Sequence, residues 1–524
     1  MKLIRCTRTS PSKHLCESNK TVLHPQGGFV LFIPSSIFPS FRQIRGSFGI
    51  IFGMSSKLKS FLLIALYALL LSVGCWFSFR VITNPLPNGH EAPHLFATAR
   101  SAESLTPPAV LPPERVASST PFHRLAAVFV QFFGVQHGTE YSLRTYRLFP
   151  MVLAVLLLSL IPALGLKRRG GLLGTEDSPF WVALFIAVAP AFFDFGRDFI
   201  PLTFQLLLFL LLLISARAYV QWPGYASAAI LGALMALTIL ADTAALWLLV
   251  ILIPTVCIGV GWRRLCLYWH TGHVLTLVGV IPLFAALGVF FDWNAPLVYP
   301  SLAAFWPHLK NHALHHILWY GLGGFGLLAW LIVILRLFRK HDKRWEKVIA
   351  ILFPLCGITA FAFPEGSIFT ASWIIQSALL ISFLLSEFRW LWVRLLLGCS
   401  TVAVLGFGMF QLTARHQQYD AVANTSHTLQ TLADLLRKTG KTPPRVTLFS
   451  NDPVASASLI WLLRSTQLLP ISEMQHADLR FIDGATLTKG PPTPSRQTLA
   501  TLVLPPDHLF YCLPKQDLAT PTLP

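Results

Sequence analysis

Long apolar runs alternate with short polar segments over most of the chain. A helix needs roughly 20 consecutive apolar residues to cross the hydrocarbon core of a bilayer, and runs near this length recur from Phe61 onward. The pattern therefore predicts an all-α polytopic membrane protein with about 11 transmembrane helices. The predicted spans are residues 60–82, 147–166, 179–195, 199–219, 225–241, 243–261, 273–291, 316–338, 348–363, 368–386 and 390–412.

Basic residues in the polar segments predict the orientation of these spans. Lysine and arginine are enriched in short cytoplasmic loops, so the segment with Lys57 and Lys59 places the amino terminus in the cytoplasm. Every second crossing then returns to a basic segment, at residues 167–169, 217, 263–264, 336–347 and 389–394. The sequence predicts a multi-pass protein of the cytoplasmic (inner) membrane with its carboxy terminus outside.

The composition excludes several other classes of protein. Of the 524 residues, 54% are hydrophobic and 12% are charged, whereas soluble domains carry roughly 25% charged residues. The net charge of +18 follows from the basic loops, so it does not indicate nucleic-acid binding. The eight cysteines form no CxxC pair and are typical of small buried apolar residues. A soluble enzyme, a disordered chain and a disulfide-rich secreted module are all disfavoured.

The same pattern divides the chain into four parts. Residues 1–53 are expected to be a disordered or mis-called extension before a start at Met54, with a targeting segment as the alternative. Residues 54–412 form the transmembrane domain, and its first outer loop, at 83–146, is Pro-rich and then helical. Residues 413–524 alternate helical and strand-like runs, which predicts a small α/β module on the outer side.

Ionisable residues at the outer ends of spans are the first candidates for chemistry, because charge near a membrane is costly. Glu91 follows the first span by about nine residues and is flanked by His90 and His94. Its carboxylate could act as a general base, or Glu91 and His94 could hold a divalent metal ion of unknown identity. An ordinary solvated loop glutamate is the structural alternative.

A second acidic cluster lies between the third and fourth predicted spans. On a helix Asp194, Arg197 and Asp198 would share one face, because they are three and four residues apart. The two acids could hold an acceptor or a metal, and Arg197 could pair with a phosphate. An ion pair that caps two short helices is the alternative.

Two further groups have weaker patterns. Asp242 lies between closely spaced spans, where we expect it to cap the sixth span. The histidines before the eighth span could bind a phosphate or a metal with the neighbouring lysine, or could be ordinary interfacial residues. This group consists of His308, Lys310, His312, His315 and His316, and the predicted phosphate contacts are Lys310, His312 and His316.

The order of these features resembles the GT-C membrane glycosyltransferases. The resemblance is strongest to the group that contains the lipid A aminoarabinose transferases, the protein O-mannosyltransferases and the rhizobial core-galacturonosyl transferases. It covers roughly residues 60–260, and no single motif is specific. The segments that carry it are HEA at 90–92, STPFHRL at 119–125, FGVQHGTEYSLRTYRLFP at 133–150, GLKRRGGLLG at 165–174, VAPAFFDFGRDFIPLTFQLLLFL at 188–210 and GALMALTILADTA at 232–244.

The resemblance implies a glycosyltransferase that moves a sugar from a polyprenyl-phosphate donor to an envelope lipid, glycan or protein on the outer face. It implies catalytic roles for Glu91, Asp194 and Asp198, with Arg197 and His90 among the phosphate contacts. His90 stands where the family has the first residue of an acidic pair. Either Glu91 then takes the base role, or another carboxylate such as Asp194 or Asp198 does, or the protein is a catalytically silent relative. A transporter or flippase of lipid-linked sugars is a further alternative.

Overall fold

The computed structural model describes the chain from Glu91 to Pro514 with gaps. The predicted extension at 1–53, the first span at 60–82, and three site residues, His90, Asp194 and Arg197, lie outside the described residues. The described ranges are 91–103, 120–134, 136–137, 140–165, 178–192, 198–260, 271–290, 299–337, 344–363, 367–388, 393–408, 425–440, 443–450, 453–464, 466–469, 471–483, 500–504 and 508–514.

Helices dominate these ranges, as the long apolar runs predict. They are α1 (Ala92–Ala102), α2 (Pro121–Phe133), α3 (Leu143–Leu160), α4 (Ser178–Ala187), α5 (Leu202–Gln221), α6 (Tyr225–Ala241), α7 (Ala245–Val260), α8 (Thr271–Phe290), α9 (Leu302–Trp319), α10 (Phe325–Leu337), α11 (Arg344–Ala360), α12 (Ile368–Glu387), α13 (Val393–Gly408), α14 (Thr425–Lys438) and α15 (Pro453–Leu462). A short hairpin of β1 (Gln136–His137) and β2 (Glu140–Tyr141) lies between α2 and α3.

Among the described residues, three helical segments are long and apolar enough to cross a membrane. They are α3 with its 3₁₀ extension, α5 and α12. Five shorter helices, α4, α6, α7, α10 and α13, are also apolar. The predicted positions of most later spans agree with these helices, whereas the predicted number of eleven is not confirmed.

One predicted span has different boundaries in the structure. The run at 316–338 is not a single helix, because α9 ends at Trp319 and α10 begins at Phe325. Between them Leu322, Gly323 and Gly324 adopt positive φ angles of 52°, 67° and 83°. Two of these three residues are glycines, which adopt this backbone conformation without the clash that a Cβ brings. The break separates the histidine-bearing helix α9 from the apolar helix α10.

Helix α12 is the centre of the apolar bundle. Nearly all of its residues are buried, and it packs against α4, α5, α10 and α11. Its first residue, Ile368, donates its backbone N–H to Asp242 Oδ2 at 2.8 Å, and Gln205 of α5 donates to the same oxygen at 3.1 Å. Asp242 therefore joins three segments at one end of the bundle.

The carboxy-terminal residues form the predicted α/β module. A five-stranded sheet has the order β4-β3-β5-β7-β6, where β3 pairs in parallel with β4 and β5, and β7 pairs antiparallel with β5 and β6. The strands are β3 (Arg445–Phe449), β4 (Gln467–Leu469), β5 (Leu479–Asp483), β6 (Ala500–Leu504) and β7 (His508–Pro514). Helix α14 ends before Gly440, whose φ of 65° is typical of a helix terminus.

This module contacts α1 and α3 through α15. The Trp461 ring lies edge-on to Phe96 of α1 and to Tyr146 of α3, with ring centroids 5.3 and 5.7 Å apart. Arg464 covers the Trp461 ring at 4.2 Å and approaches Glu103 at 3.9 Å. The module and α1 are therefore packed together beside the start of α3.

Candidate functional site

The site begins at the start of helix α1. Glu91 precedes α1, and its backbone carbonyl accepts the N–H groups of His94 at 3.1 Å and Leu95 at 3.0 Å. Pro93 fits this first turn because its missing N–H needs no partner there. The Glu91 side chain does not cap the helix, and its carboxylate turns toward α3 instead.

The Glu91 carboxylate forms a buried ion pair with Arg147 of α3. Arg147 Nε donates to Glu91 Oε1 and Arg147 Nη2 donates to Glu91 Oε2, both at 2.7 Å. Both side chains are shielded from solvent, at 0% exposure for each residue. The two parallel bonds are the geometry in which guanidinium binds a carboxylate most strongly. The pair ties the start of α1 to the start of α3.

A third donor to Glu91 comes from the segment that precedes α5. The backbone N–H of Phe199 donates to Glu91 Oε1 at 3.1 Å. The neighbouring residue Asp198 is buried, and its backbone carbonyl accepts the N–H of Ile200 at 2.8 Å. The structure therefore brings two of the predicted acids, Glu91 and Asp198, to adjoining segments, although 107 residues separate them in the sequence.

These contacts change the chemistry that Glu91 can perform. The two carboxylate oxygens of Glu91 accept three hydrogen bonds. Two of these bonds come from the Arg147 guanidinium and one from the backbone N–H of Phe199. A carboxylate engaged in this way offers few lone pairs to a proton on a substrate. The geometry is that of a group that fixes the position of α1, α3 and the Asp198 segment.

Two histidines lie beside this ion pair. His94 Nδ1 and His123 Nε2 are 3.0 Å apart, and the two rings are stacked with centroids 5.3 Å apart. Burial lowers the pKa of His94 to about 4, although the nearby charge of Glu91 acts to raise it. Burial also lowers the pKa of His123 well below its ordinary value, and the proximity of His94 lowers it further. Both rings are therefore neutral near pH 7.

His123 is held in place by the first turn of α2. The backbone N–H of Thr120 donates to His123 Nδ1 at 3.1 Å, and the Thr120 hydroxyl lies 2.9 Å from the same nitrogen. Histidine thus takes the place that glutamate or glutamine occupies in a usual capping box. The local fold of α2 fixes which nitrogen of His123 faces α1.

The predicted phosphate contacts on α9 are separated from one another. Lys310 and His312 are exposed, whereas His316 is buried against Tyr320 and Phe361, with ring centroids 5.1 and 4.7 Å apart. His308 faces His312 with ring centroids 5.6 Å apart. His316 therefore packs into the bundle, and Lys310 and His312 are accessible to a lipid phosphate.

Asp242 has the capping role that the sequence predicts, and its carboxylate also binds the first residue of α12. Its Oδ1 accepts the backbone N–H of Ala244 at 2.9 Å, next to the start of α7. Because its Oδ2 also accepts the backbone N–H of Ile368, one carboxylate serves two helix termini. Asp242 is a structural junction in the described part of the chain.

The donor set for a metal is limited. No group of three or more histidine, cysteine, aspartate or glutamate side chains converges among the described residues. Within the described residues, the predicted metal pair of Glu91 and His94 is therefore not joined by a third such side chain. One of these, Glu91, is already engaged by Arg147.

Arg147 was not identified as a site residue from the sequence. The available signal was an arginine at the beginning of the apolar run 147–166, where a charge requires a partner. Its partner lies 56 residues away, so no local spacing identifies Glu91 as the counter-charge. His123 was also missed, because a lone histidine in an amphipathic helix has no specific pattern.

Comparisons with known proteins give the fold of the chain. No family model and no curated protein matches it. Among solved structures it is similar to ArnT from Cupriavidus metallidurans bound to undecaprenyl phosphate, with a TM-score of 0.50 and 12% identity. The apo form of the same ArnT also has a TM-score of 0.50, with 14% identity. Each comparison covers 86% of this chain and 98% of the ArnT chain.

At these identities the likeness shows the fold. ArnT is a lipid A aminoarabinose transferase, a GT-C enzyme, so the resemblance stated from the sequence is confirmed for the fold. The agreement extends well beyond residues 60–260, the range on which the sequence resemblance rests.

Proposed function

We propose that this chain is an integral membrane glycosyltransferase that uses a polyprenyl-phosphate-linked sugar and acts on the outer face of the membrane. The observation that carries the proposal is the fold, which is similar to that of ArnT over 86% of the chain. One of the two ArnT structures holds bound undecaprenyl phosphate. The lipid tail of such a donor would lie in the bilayer, which accounts for a site beside the start of the apolar helix α3.

The proposed reaction transfers the sugar in one inverting displacement. A hydroxyl or amine of the acceptor attacks the anomeric carbon, and the bond from this carbon to the phosphate oxygen breaks. The electron pair of that bond leaves with the polyprenyl phosphate, and the acceptor proton passes to a carboxylate. The acceptor is an envelope lipid, glycan or protein.

Asp198 is the described residue that best suits the proton acceptor, with Asp194 as its sequence-predicted neighbour. The segment of Asp198 is hydrogen-bonded to Glu91 through Phe199, so its position follows from the ion pair. We assign Glu91 to positioning rather than to proton transfer, because three donors already engage its oxygens. Arg197 would stabilise the phosphate leaving group, and Lys310 and His312 would contact the lipid phosphate.

No step of this reaction passes through a metal ion. The two residues predicted to hold one, Glu91 and His94, have nitrogen and oxygen donors suited to a divalent cation. Each is engaged by a neighbour, Glu91 by Arg147 and His94 by His123. The chain's own residues supply the proposed proton acceptor and the cationic groups.

A transfer assay tests the proposal. Purified protein in lipid nanodiscs is given radiolabelled polyprenyl-phosphate sugars and extracted envelope acceptors. We expect label to reach an acceptor, and Asp198→Asn to lower the rate by about 10²–10⁴-fold, as loss of a general base does. Asp434→Asn, on the exposed face of α14, is the matched control and should leave the rate unchanged. Full activity in Asp198→Asn would show that a residue other than Asp198 accepts the proton.

A catalytically silent relative is the second candidate. Two observations favour it, namely His90 in place of the first family acid and the full engagement of Glu91 by Arg147. This candidate predicts that the protein binds undecaprenyl phosphate and transfers no label from any donor. Movement of labelled lipid across the bilayer of reconstituted liposomes, without transfer, would instead identify the transporter alternative.

A further inference from the structure

Three residues form a hydrogen-bonded chain on the outer loop that the proposed reaction does not use. It begins at the backbone N–H of Thr120, continues through His123 and ends at His94. The donor–acceptor distances are 3.1 Å to His123 Nδ1 and 3.0 Å between His123 Nε2 and His94 Nδ1. The chain connects the first turn of α2 to the first turn of α1.

The first member of this chain determines the tautomer of the other two. A backbone N–H can only donate, so His123 Nδ1 must accept and its ring proton lies on Nε2. His123 Nε2–H then donates to His94 Nδ1, which must also accept. A neutral His94 ring therefore carries its proton on Nε2.

The last member of this hydrogen-bonded chain, His94, is the more exposed of the two histidines. The ring of His123 is 1% exposed, whereas His94 is only partly buried. Among the described residues His94 Nε2 has no hydrogen-bond partner, and it is not one of the buried polar atoms that lack one. His94 stands three residues after Glu91, whose charge is matched by Arg147. An anion can therefore approach Nε2–H without facing an unpaired carboxylate.

We propose that His94 is a substrate-contacting residue whose Nε2–H donates a hydrogen bond to a phosphate oxygen of the lipid-linked donor. Bonds from N–H groups to charged oxygens are stronger than neutral ones, so a phosphate is the favoured partner for this donor. The fixed tautomer aims a proton, rather than a lone pair, at the substrate. The inference rests on the proposed function for the identity of the ligand and on the hydrogen-bond chain for the direction of the donor.

The same tautomer argues against His94 as a metal ligand. Its Nδ1 lone pair accepts from His123, and its Nε2 carries the proton, so the neutral ring has no lone pair for a cation. His94 therefore acts as a hydrogen-bond donor in place of the metal-binding role considered from the sequence.

Two substitutions at His94 separate the loss of the Nε2–H donor from the loss of the bond that Nδ1 accepts from His123. In His94→Asn the amide oxygen can still accept from His123, but no group reaches the position of Nε2. In His94→Gln the longer side chain returns an N–H donor near that position. We expect His94→Asn to weaken binding of radiolabelled undecaprenyl phosphate by about 10–100-fold, the worth of one bond to a charged group. His94→Gln should recover most of the affinity, and His476→Asn on the exposed surface should match the wild type.

A spectroscopic measurement tests the tautomer without any substrate. Protein labelled with ¹⁵N-histidine is compared with labelled His94→Asn, and the difference spectrum reports the His94 ring. We expect a protonated Nε2 and an unprotonated Nδ1. The opposite tautomer, or a ring that binds zinc when zinc alone is added, would overturn the proposal.

The two experiments also distinguish this inference from the proposed function. If the wild type binds undecaprenyl phosphate more tightly than His94→Asn does but transfers no sugar, the glycosyltransferase fails and the role of His94 in phosphate binding stands. If the wild type transfers sugar and His94→Asn binds the lipid with unchanged affinity, the enzyme stands and the role of His94 is refuted. Should His94→Asn fail to fold, the difference spectrum between the labelled wild type and labelled His94→Gln, with and without added zinc, still assigns the tautomer of His94 and tests the proposal.

Discussion

The ion pair between Glu91 and Arg147 shows how a single residue organises this site. Removing two charges from water is costly, and the two 2.7 Å bonds and the Phe199 N–H offset that cost. Each buried charge therefore needs the other as its counter-charge. It also fixes the relative position of three chain segments that are distant in sequence. A substitution at Glu91 therefore changes the stability of the loop as well as its chemistry.

Removing the carboxylate charge should destabilise the folded protein. We expect Glu91→Gln to lower the free energy of unfolding by about 3–5 kcal/mol, because Arg147 would remain charged and buried without a counter-ion. Replacing both residues, Glu91→Gln with Arg147→Met, should cost less than Glu91→Gln alone. Unfolding of the detergent-solubilised protein, followed by circular dichroism, measures both variants. An equal loss in the single and the double variant would contradict this account of the pair.

The two neutral histidines should make stability fall as the pH is lowered. The pKa of His94 is about 4 in the folded protein and near 6.5 in an unfolded chain, and the pKa of His123 is shifted in the same direction. Above pH 6.5 neither state binds a proton there. Below it the unfolded chain takes up protons that the folded one excludes, so stability declines toward pH 4.

Thermal unfolding between pH 7 and pH 5 checks this expectation, since most carboxylates stay ionised over that range. The charged groups nearest to the two histidines are Glu91, which acts to raise the pKa of His94, and Arg147, which is paired with Glu91. His94→Asn should flatten the decline, and His476→Asn should leave it unchanged. A wild-type melting temperature that does not fall between pH 7 and pH 5 would be inconsistent with two rings that stay neutral in the folded protein.

At the scale of the elements, close packing of α10 against α12 depends on a glycine. A Cβ at Gly326 would lie 2.6 Å from the Ser377 hydroxyl, closer than real Cβ contacts, and 3.0 Å from the Gly321 carbonyl oxygen, which is a tight contact. Gly279 of α8 is also a helical glycine, but a Cβ there meets nothing within 4 Å. The two positions form a matched pair for testing the contact.

We expect Gly326→Ala to lower the free energy of unfolding by about 1–3 kcal/mol, because the added methyl group overpacks the interface. Gly279→Ala should be neutral or stabilising by up to about 1 kcal/mol, because alanine is the better helix former. Chemical unfolding in mixed micelles measures both changes. Equal effects at the two positions would indicate that helix propensity, rather than the contact with α12, dominates.

The elements themselves were largely predictable from the sequence, because apolar run length is a local property. Helix α6 has the predicted bounds, 225–241, and the helix–strand–helix order of the carboxy-terminal module is also as predicted. The span 316–338 was wrong because residues 316–324 are apolar enough to continue a helix. Only the backbone angles of Gly323 and Gly324 reveal the break.

The site was predictable in part, for a physical reason. Glu91 and Asp198 were proposed from the sequence because ionisable groups are rare beside spans, and the structure places them on adjoining segments. Arg147 and His123 were not found, because their importance comes from partners 56 and 29 residues away in the sequence. A single sequence carries composition and spacing, whereas a buried pair is a property of the folded contact.

At the scale of the whole molecule, the carboxy-terminal module is linked to the site by a short path of contacts. Tyr146 donates its hydroxyl to Glu103 Oε1 at 2.7 Å and packs against Trp461. It is also the residue before Arg147. Glu103 ends the helix that Glu91 begins. The module therefore contacts both α1 and α3, the two helices whose starts are joined by the Glu91–Arg147 pair.

This arrangement predicts that the module supports activity without containing the reaction centre. Trp461 is 1% exposed, so Trp461→Ala should remove packing worth about 3–5 kcal/mol between α15 and the outer loop. We expect faster proteolytic release of the module and slower sugar transfer, with the helical bundle still folded by circular dichroism. Trp222→Ala, at a tryptophan that is 55% exposed, is the control and should change neither. Rapid release of the module with unchanged transfer would show that the Glu91–Arg147 pair keeps its geometry without support from α15.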